Sequence, residues 1–311
     1  MDQNELSAKN LSRWQNLQAT WERWAQRDLP LRWPLVLLLG GVAFWLVSRV
    51  GIREDWHVTF YPAGQNWLDP YENSFHLVYP PWLAMILAPF TLFPEDVARG
   101  LFAAFSVGLT AVGVRQLGGG FASLLLVLLT PFYVTLLVRG ETDALPVAGL
   151  GLIMLEPVGW QVVGLALLAL KPQTMGFAAA FLVLFTLQTA YTQGQYTRLR
   201  QLVLGFGAIL LISFLLYGAW PLDILERLPD LYRVDDVSSW PYGLPVGLFL
   251  LWHAYRRRSL AWAALATYFF VPYVNWYSLA GYAVIIFSRS PKWFAAALLI
   301  LSWVWFLNYT T

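Results

Sequence analysis

The sequence predicts an all-α protein, a polytopic membrane helix bundle of about 11 transmembrane helices with an interfacial or re-entrant helix near 81–94. Three observations predict it. Hydrophobic residues make up 58% of the chain and charged residues 12%. That is far short of the roughly 25% charged residues of an average soluble domain, and too few to build a water-soluble surface. Apolar runs recur from Pro34 to the C-terminal end, so the apolar surface is spread over one domain, 34–311, rather than gathered into a single anchor. Basic residues collect in alternate short loops, as they do on the cytoplasmic side of membrane proteins.

The segment 1–33 is polar and carries both signs of charge, unlike the apolar core of a cleavable signal peptide. Leu11, Trp14, Leu17, Trp21 and Trp24 recur at helical spacing with Arg13, Arg23 and Arg27 between them. The pattern predicts a cytoplasmic amphipathic helix on the inner membrane surface, with a solvated helix packed on the protein as the alternative. Spans are expected at Pro34–Val50, Val97–Val114, Phe121–Val138, Ala144–Leu155, Val158–Leu170 and Thr174–Leu187. Five more follow at Leu202–Trp220, Tyr242–His253, Leu260–Val271, Trp276–Phe287 and Trp293–Leu307. Several fall short of the ~20 residues of a full crossing, so polar flanks must extend them or they must stop at a cavity inside the protein.

The apolar stretch Pro81–Phe93 is short, opens with Pro80-Pro81 and contains Pro89, with Pro94 just after it, which assigns it to the outer interface. With the N-terminus inside, Arg115, Arg198 with Arg200, the run Arg256-Arg257-Arg258, and Arg289 with Lys292 then fall inside. The external loops 51–80 and 221–241 carry Asp55, Asp69, Glu72 and the acidic run from Asp223 to Asp236; Glu95, Arg99, Arg139, Glu141, Asp143 and Lys171 share their face. A competing topology joins Ala144 to Leu170 in one helix kinked at Pro157, which puts the arginine run outside unless Pro81–Phe93 also crosses.

Composition also excludes. Without cysteine there is no disulfide, thiolate metal site or thiol nucleophile, and a net charge of +2 implies no nucleic-acid partner. The chain lacks a strict repeat and lacks paired halves with matching broken helices, which lowers the transporter reading.

Just beyond the first span stands Arg53-Glu54-Asp55-Trp56-His57. Carboxylates at a membrane boundary suit general-base work, because they are partly desolvated yet reached by solvent. The plain alternative is a solvated loop end. The stretch continues as Phe60-Tyr61-Pro62-Ala63-Gly64, Asp69-Pro70-Tyr71 and Tyr79-Pro80-Pro81-Trp82. This order and spacing resembles the first loop of family 87 glycosyltransferases of the GT-C superfamily. Gly140-Glu141-Thr142-Asp143, Ala169-Leu170-Lys171-Pro172-Gln173 and Val271-Pro272-Tyr273-Val274-Asn275-Trp276-Tyr277 resemble further segments of that family, over roughly residues 34 to 290. Two positions depart from its pattern: Glu141 stands for a glutamine, and Ser278 for an acidic residue.

The resemblance implies a GT-C-like bundle that transfers a hexose, most commonly mannose, with inversion, from a polyprenyl-phosphate donor to a lipid or glycan acceptor on the outer face. The expected location is the cytoplasmic membrane of a bacterium. Such chemistry needs a carboxylate to deprotonate the attacking hydroxyl and a cation to hold the leaving phosphate. The family's acidic position makes Asp55 the candidate base, with Glu54 in reserve. Lys171, at a membrane-boundary Lys-Pro step, is a candidate for the donor phosphate, its alternative being to snorkel to the interface. Arg99 and Arg139, at helix ends, are the other phosphate candidates, and Arg139 alternatively pairs with Glu141 or Asp143. His57, Tyr61, Tyr79, Glu141, Asp143, Tyr273 and Asn275 are candidate substrate contacts.

His57 and His76 lack a third ligand at fixed spacing, so no metal site is expected, although a divalent cation held by carboxylates stays open as a cofactor. The acidic run beside Ser239-Trp240-Pro241-Tyr242 suits sugar binding, or forms part of an interfacial aromatic belt. Two rivals to the enzyme remain: a transporter or flippase of a lipid-linked saccharide, and a non-catalytic subunit with a partner in a membrane complex.

Overall fold

The computed structural model describes residues 28–51, 55–72, 74, 77–227 and 237–310, with side chains to 308. The expected N-terminal amphipathic helix, Glu54, His76 and residues 228–236 of the acidic loop lie outside the described residues. The fold is all-helical, 76% helix with no strand among the described residues.

α1 (Trp33–Val47) leads to a π turn (Trp56–Phe60), α2 (Tyr61–Gln65) and α3 (Trp82–Leu87). α4 (Glu95–Gln116) is followed by α5 (Phe121–Leu128) and α6 (Pro131–Arg139), a pair bent by 69°. Next come α7 (Ala144–Ile153), α8 (Val158–Leu168), α9 (Pro172–Gln193), α10 (Tyr196–Tyr217) and the short α11 (Trp220–Arg227). α12 (Leu244–Arg257), α13 (Leu260–Thr267), α14 (Leu279–Arg289) and α15 (Lys292–Thr310) complete the chain. Among the described residues three helices, α4, α9 and α10, are long and apolar enough to cross a membrane, or four if α5 and α6 count as one span. Leu211, Ile212, Leu215 and Leu216 of α10 are all exposed, an apolar face consistent with a membrane protein.

Local chemistry explains the breaks. Pro131 removes the amide that would continue α5, and the Thr130 hydroxyl accepts from Tyr133 N at 3.2 Å to start α6 on a new axis. Pro34 and Pro172 occupy the first turns of α1 and α9, where the missing N–H is not needed. α7 and α8 form a hairpin instead of one helix kinked at Pro157. A Cβ at Gly149 would stand 2.8 Å from the Gly164 carbonyl oxygen, so the two backbones meet where neither carries a side chain. α9 and α10 begin earlier than the apolar runs suggest because polar flanks join them, and α3, six residues long, is about 9 Å from end to end and crosses nothing.

Charged knots tie the two ends of the bundle. At one end the Asp28 carboxylate accepts from the amides of Gly120 (2.7 Å), Ala122 (2.8 Å) and Ser123 (3.1 Å) and from the Ser123 hydroxyl (2.6 Å), and it pairs with Lys292 at 3.1 Å. Burial alone would push its pKa up; the Ser123 hydroxyl and the backbone amides outweigh it and hold the carboxyl below its usual range. At the other end Arg99, fully buried, donates to the carbonyls of Val47 (2.8 Å), Val50 and Val138 (3.2 Å). It thereby satisfies carbonyls left open at the ends of α1 and α6.

The stretch 51–80 is largely a packed substructure rather than a free external loop. Trp56, Phe60, Ala63, Tyr71 and Leu77 are buried in a second apolar core with Trp82, Leu83, Phe102, Leu145 and Trp220. Trp82 Nε1 donates to the Ala166 carbonyl at 3.1 Å, and Arg227 reaches the carbonyls of Tyr71 and Ser74. The main core, built on α1, α4, α7 and α14, lies beside it.

Candidate functional site

Three separate stretches bring charge, and a fourth brings polar side chains, to the end of the bundle that Arg99 ties. The π turn opens with Trp56, whose ring is fully buried 5.2 Å from Phe102 and leaves Asp55 at the lip of the bundle. α6 ends at Arg139, and Gly140 turns the chain in the left-handed region (φ 76°), where its missing side chain makes room for Trp56. A Cβ there would stand 2.9 Å from the Trp56 ring, so this glycine answers both to conformation and to packing. The linker that follows delivers Glu141, Thr142 and Asp143, all buried. Lys171 stands at the cap of α9, and the extended 271–275 segment supplies Tyr273 and Asn275 before the turn Trp276–Ser278.

These groups converge. Lys171 Nζ lies 2.6 Å from Asp143 Oδ2 and 3.0 Å from Glu141 Oε2, and all three side chains are at most 3% exposed. Arg139 Nε stands 3.3 Å from Asp55 Oδ2, both side chains being partly open to solvent. The Tyr277 ring joins the two pairs, lying 5.5 Å from the Lys171 amine and 5.4 Å from the Arg139 guanidinium, while Tyr79 covers Lys171 from 5.4 Å. Tyr273 OH donates to Asn275 Oδ1, and Asn275 Nδ2 donates to Tyr277 OH, so the late Pro-Tyr segment is tied to the same charges.

Burial and charge act in opposite directions here. Burial would drive the Lys171 amine down, but Asp143 and Glu141 outweigh it and hold the amine well above its ordinary range. Glu141 is pushed up to about 7: burial is the main cause, Lys171 opposes it, and the nearby Asp55 carboxylate adds to it. Asp143 Oδ1, Asp55 Oδ2 and Thr142 Oγ1 are buried without a hydrogen-bond partner among the described residues. Such acceptor oxygens suit the hydroxyl donors of a ligand, and the two cations beside them, Arg139 and Lys171, suit its anionic group.

Asp55, Arg139, Glu141, Asp143, Lys171, Tyr79, Tyr273 and Asn275 thus share one site. Three sequence candidates do not. Arg99 gives hydrogen bonds to three backbone carbonyls beneath the cluster, so it is a positioning group and is closed to a phosphate. His57 points outward to Glu95 at 3.0 Å, and Tyr61 OH donates to the Phe93 carbonyl at 3.0 Å. Sequence reasoning passed over Tyr277 and Thr142, although both stand inside the quoted segments; alternation with Tyr273 and Asn275 was the available signal for Tyr277.

Asp55 is paired to Arg139, and Glu141 and Asp143 share Lys171, so each carboxylate already faces a cation. Among the described residues no group of three or more acidic or histidine side chains is arranged to hold a metal. In comparisons with family models, curated proteins and solved structures, nothing matches the chain.

Proposed function

We propose that the chain is a GT-C-like membrane glycosyltransferase that moves a hexose, mannose for preference, from a polyprenyl phosphate to a lipid or glycan acceptor. The observation that carries this reading is the meeting of Asp55, Arg139, Glu141, Asp143 and Lys171 at one end of an apolar bundle, from segments far apart in sequence. In the proposed topology about 11 crossings start from a cytoplasmic N-terminus, the arginine-rich loops lie inside and the cluster opens outward, in a bacterial cytoplasmic membrane.

Asp55, at the lip of the site, takes the proton of the acceptor hydroxyl as that oxygen attacks the anomeric carbon. The bond from that carbon to the phosphate oxygen breaks on the opposite side, which inverts the centre, and the electron pair leaves with the phosphate. Arg139 holds the phosphate through its guanidinium fork, and Lys171 adds a second positive charge. Glu141 sets the availability of Lys171: with its pKa near 7 it takes up a proton, and Asp143 is then the one anion still held by the amine. Tyr79, Tyr273 and Asn275 border the sugar, and the lipid tail runs down the apolar flank of the bundle.

A second reading draws support from the closure of Lys171 between two carboxylates and from Glu141 titrating near neutrality: a proton-coupled transporter of a lipid-linked saccharide. Sugar transfer by the purified chain in lipid nanodiscs, with a polyprenyl-phosphate hexose donor, separates the two. The enzyme reading expects turnover, reduced about 10²–10⁴-fold in Asp55→Asn at unchanged thermal stability. Undiminished transfer by Asp55→Asn removes the assigned base, and donor translocation without transfer favours the transporter.

A further inference from the structure

At the end of the bundle opposite the acidic cluster lies a cavity of about 740 Å³ between α8, α9, α12 and α13. Arg198, Arg257, Arg258 and Arg289 line it, with Glu156 as the one carboxylate among its walls. Arg258 is engaged, donating to Gln188 Oε1 at 3.0 Å. Deeper in the wall Gln161 is 1% exposed; its Nε2 donates to the carbonyls of Leu155 (2.7 Å) and Ile153 (3.4 Å), which fixes the amide and leaves Oε1 without a donor. A buried acceptor without a partner among positive charges calls for a ligand that carries an anion and a hydroxyl together.

A second cavity adjoins it. This hollow of about 500 Å³ shares Trp262 and Arg289 with the first and runs along α12, α13 and α14 past Leu265, Phe269, Ile285 and Ile286. Its walls are almost entirely apolar. A basic chamber and an apolar groove that share Trp262 and Arg289 as wall residues set the two halves of a lipid side by side in their covalent order: phosphate head, then acyl chain.

We infer that this joined cavity binds one anionic glycerophospholipid, its phosphate between Arg198, Arg257 and Arg289, its headgroup hydroxyl toward Gln161 and an acyl chain in the groove below Trp262. Four arginines stand against one carboxylate, and this excess positive charge is gathered around a single open cavity. The inference is independent of sugar transfer, because the cavity is at the other end of the bundle.

Native mass spectrometry of the full chain, with phosphatidylglycerol and phosphatidylcholine added in parallel, tests it. The expected result is selective retention of phosphatidylglycerol, weakened about fivefold by Arg198→Gln and again by Arg289→Gln. Arg115→Gln, an exposed arginine at the same end that does not line the cavity, should leave retention unchanged. Inorganic phosphate at the same concentration should not displace the lipid, because it has no chain for the groove. Equal retention of the two lipids, an Arg115→Gln effect equal to that of Arg289→Gln, or displacement by free phosphate would each overturn the proposal. Thermal transitions of the variants, whose altered side chains are exposed, establish that each remains folded.

Discussion

The acidic cluster at one end of the bundle and the arginine cavity at the other carry charge under opposite rules. At one end Lys171, Glu141 and Asp143 are shut away from solvent, with Arg139 and Asp55 at the rim, and both Lys171 and Arg139 face carboxylates. At the other, Arg198, Arg257, Arg258 and Arg289 are exposed around an open cavity with a single Glu156 among them. A charge withdrawn from water has to be paired; one that keeps its solvent does not. Net charge of a bundle end is therefore a poor guide to function, whereas the degree of pairing separates a closed, preorganised cluster from a surface that attracts anions from outside.

The contrast breaks most sharply at Lys171. Lys171→Met leaves Glu141 and Asp143 buried together without their common cation, and should cost ~3–5 kcal/mol of stability. Thermal unfolding in detergent, with Lys171→Met/Asp143→Asn recovering part of the loss, measures it. A Lys171→Met protein as stable as the parent would mean that the cluster is not closed.

A smaller effect follows from Glu141. Its folded pKa, about 7, lies above the ordinary 4.5, so the protonated form favours folding. The stabilisation is complete below about pH 4.5 and is lost as pH rises through about 7. Glu141→Gln, which stands in for the protonated carboxyl, should remove this dependence, so that melting temperature falls from pH 5 to pH 8 in the parent and less in the variant. Parallel profiles would place Glu141 in contact with water.

Arg257→Gln at the open end should change stability by no more than about 0.5 kcal/mol, because an exposed charge loses little when removed. A loss as large as that of Lys171→Met would erase the distinction between the ends.

Much of this arrangement was legible in the sequence. The position of Arg115, Arg198, the 256–258 run and Lys292 against that of Asp55, Glu141, Asp143 and Lys171 followed from counting apolar runs and basic loops. The Tyr-Pro-Pro, Gly-Glu-Thr-Asp and Lys-Pro stretches pointed to side chains that the fold brings together. Arg99 was not legible, because its partners are backbone carbonyls at the ends of two other helices, and only tertiary packing reveals which carbonyls are open. His57 went astray for a related reason. The π turn that buries Trp56 sends the next side chain outward to Glu95, and a π turn has no clear mark in composition. The hairpin of α7 and α8 was legible as the two separate apolar runs Ala144–Leu155 and Val158–Leu170, whereas the close contact between Gly149 and Gly164 that rules out one helix kinked at Pro157 appears only in the packing.

The most direct test of the whole account is a structure of the chain with a non-hydrolysable polyprenyl phosphonate sugar. The account predicts the phosphonate within about 4 Å of Arg139 or Lys171, and the sugar beside Asp55 and Tyr79. A donor seated elsewhere, with the Lys171 cluster still sealed and untouched, would contradict it.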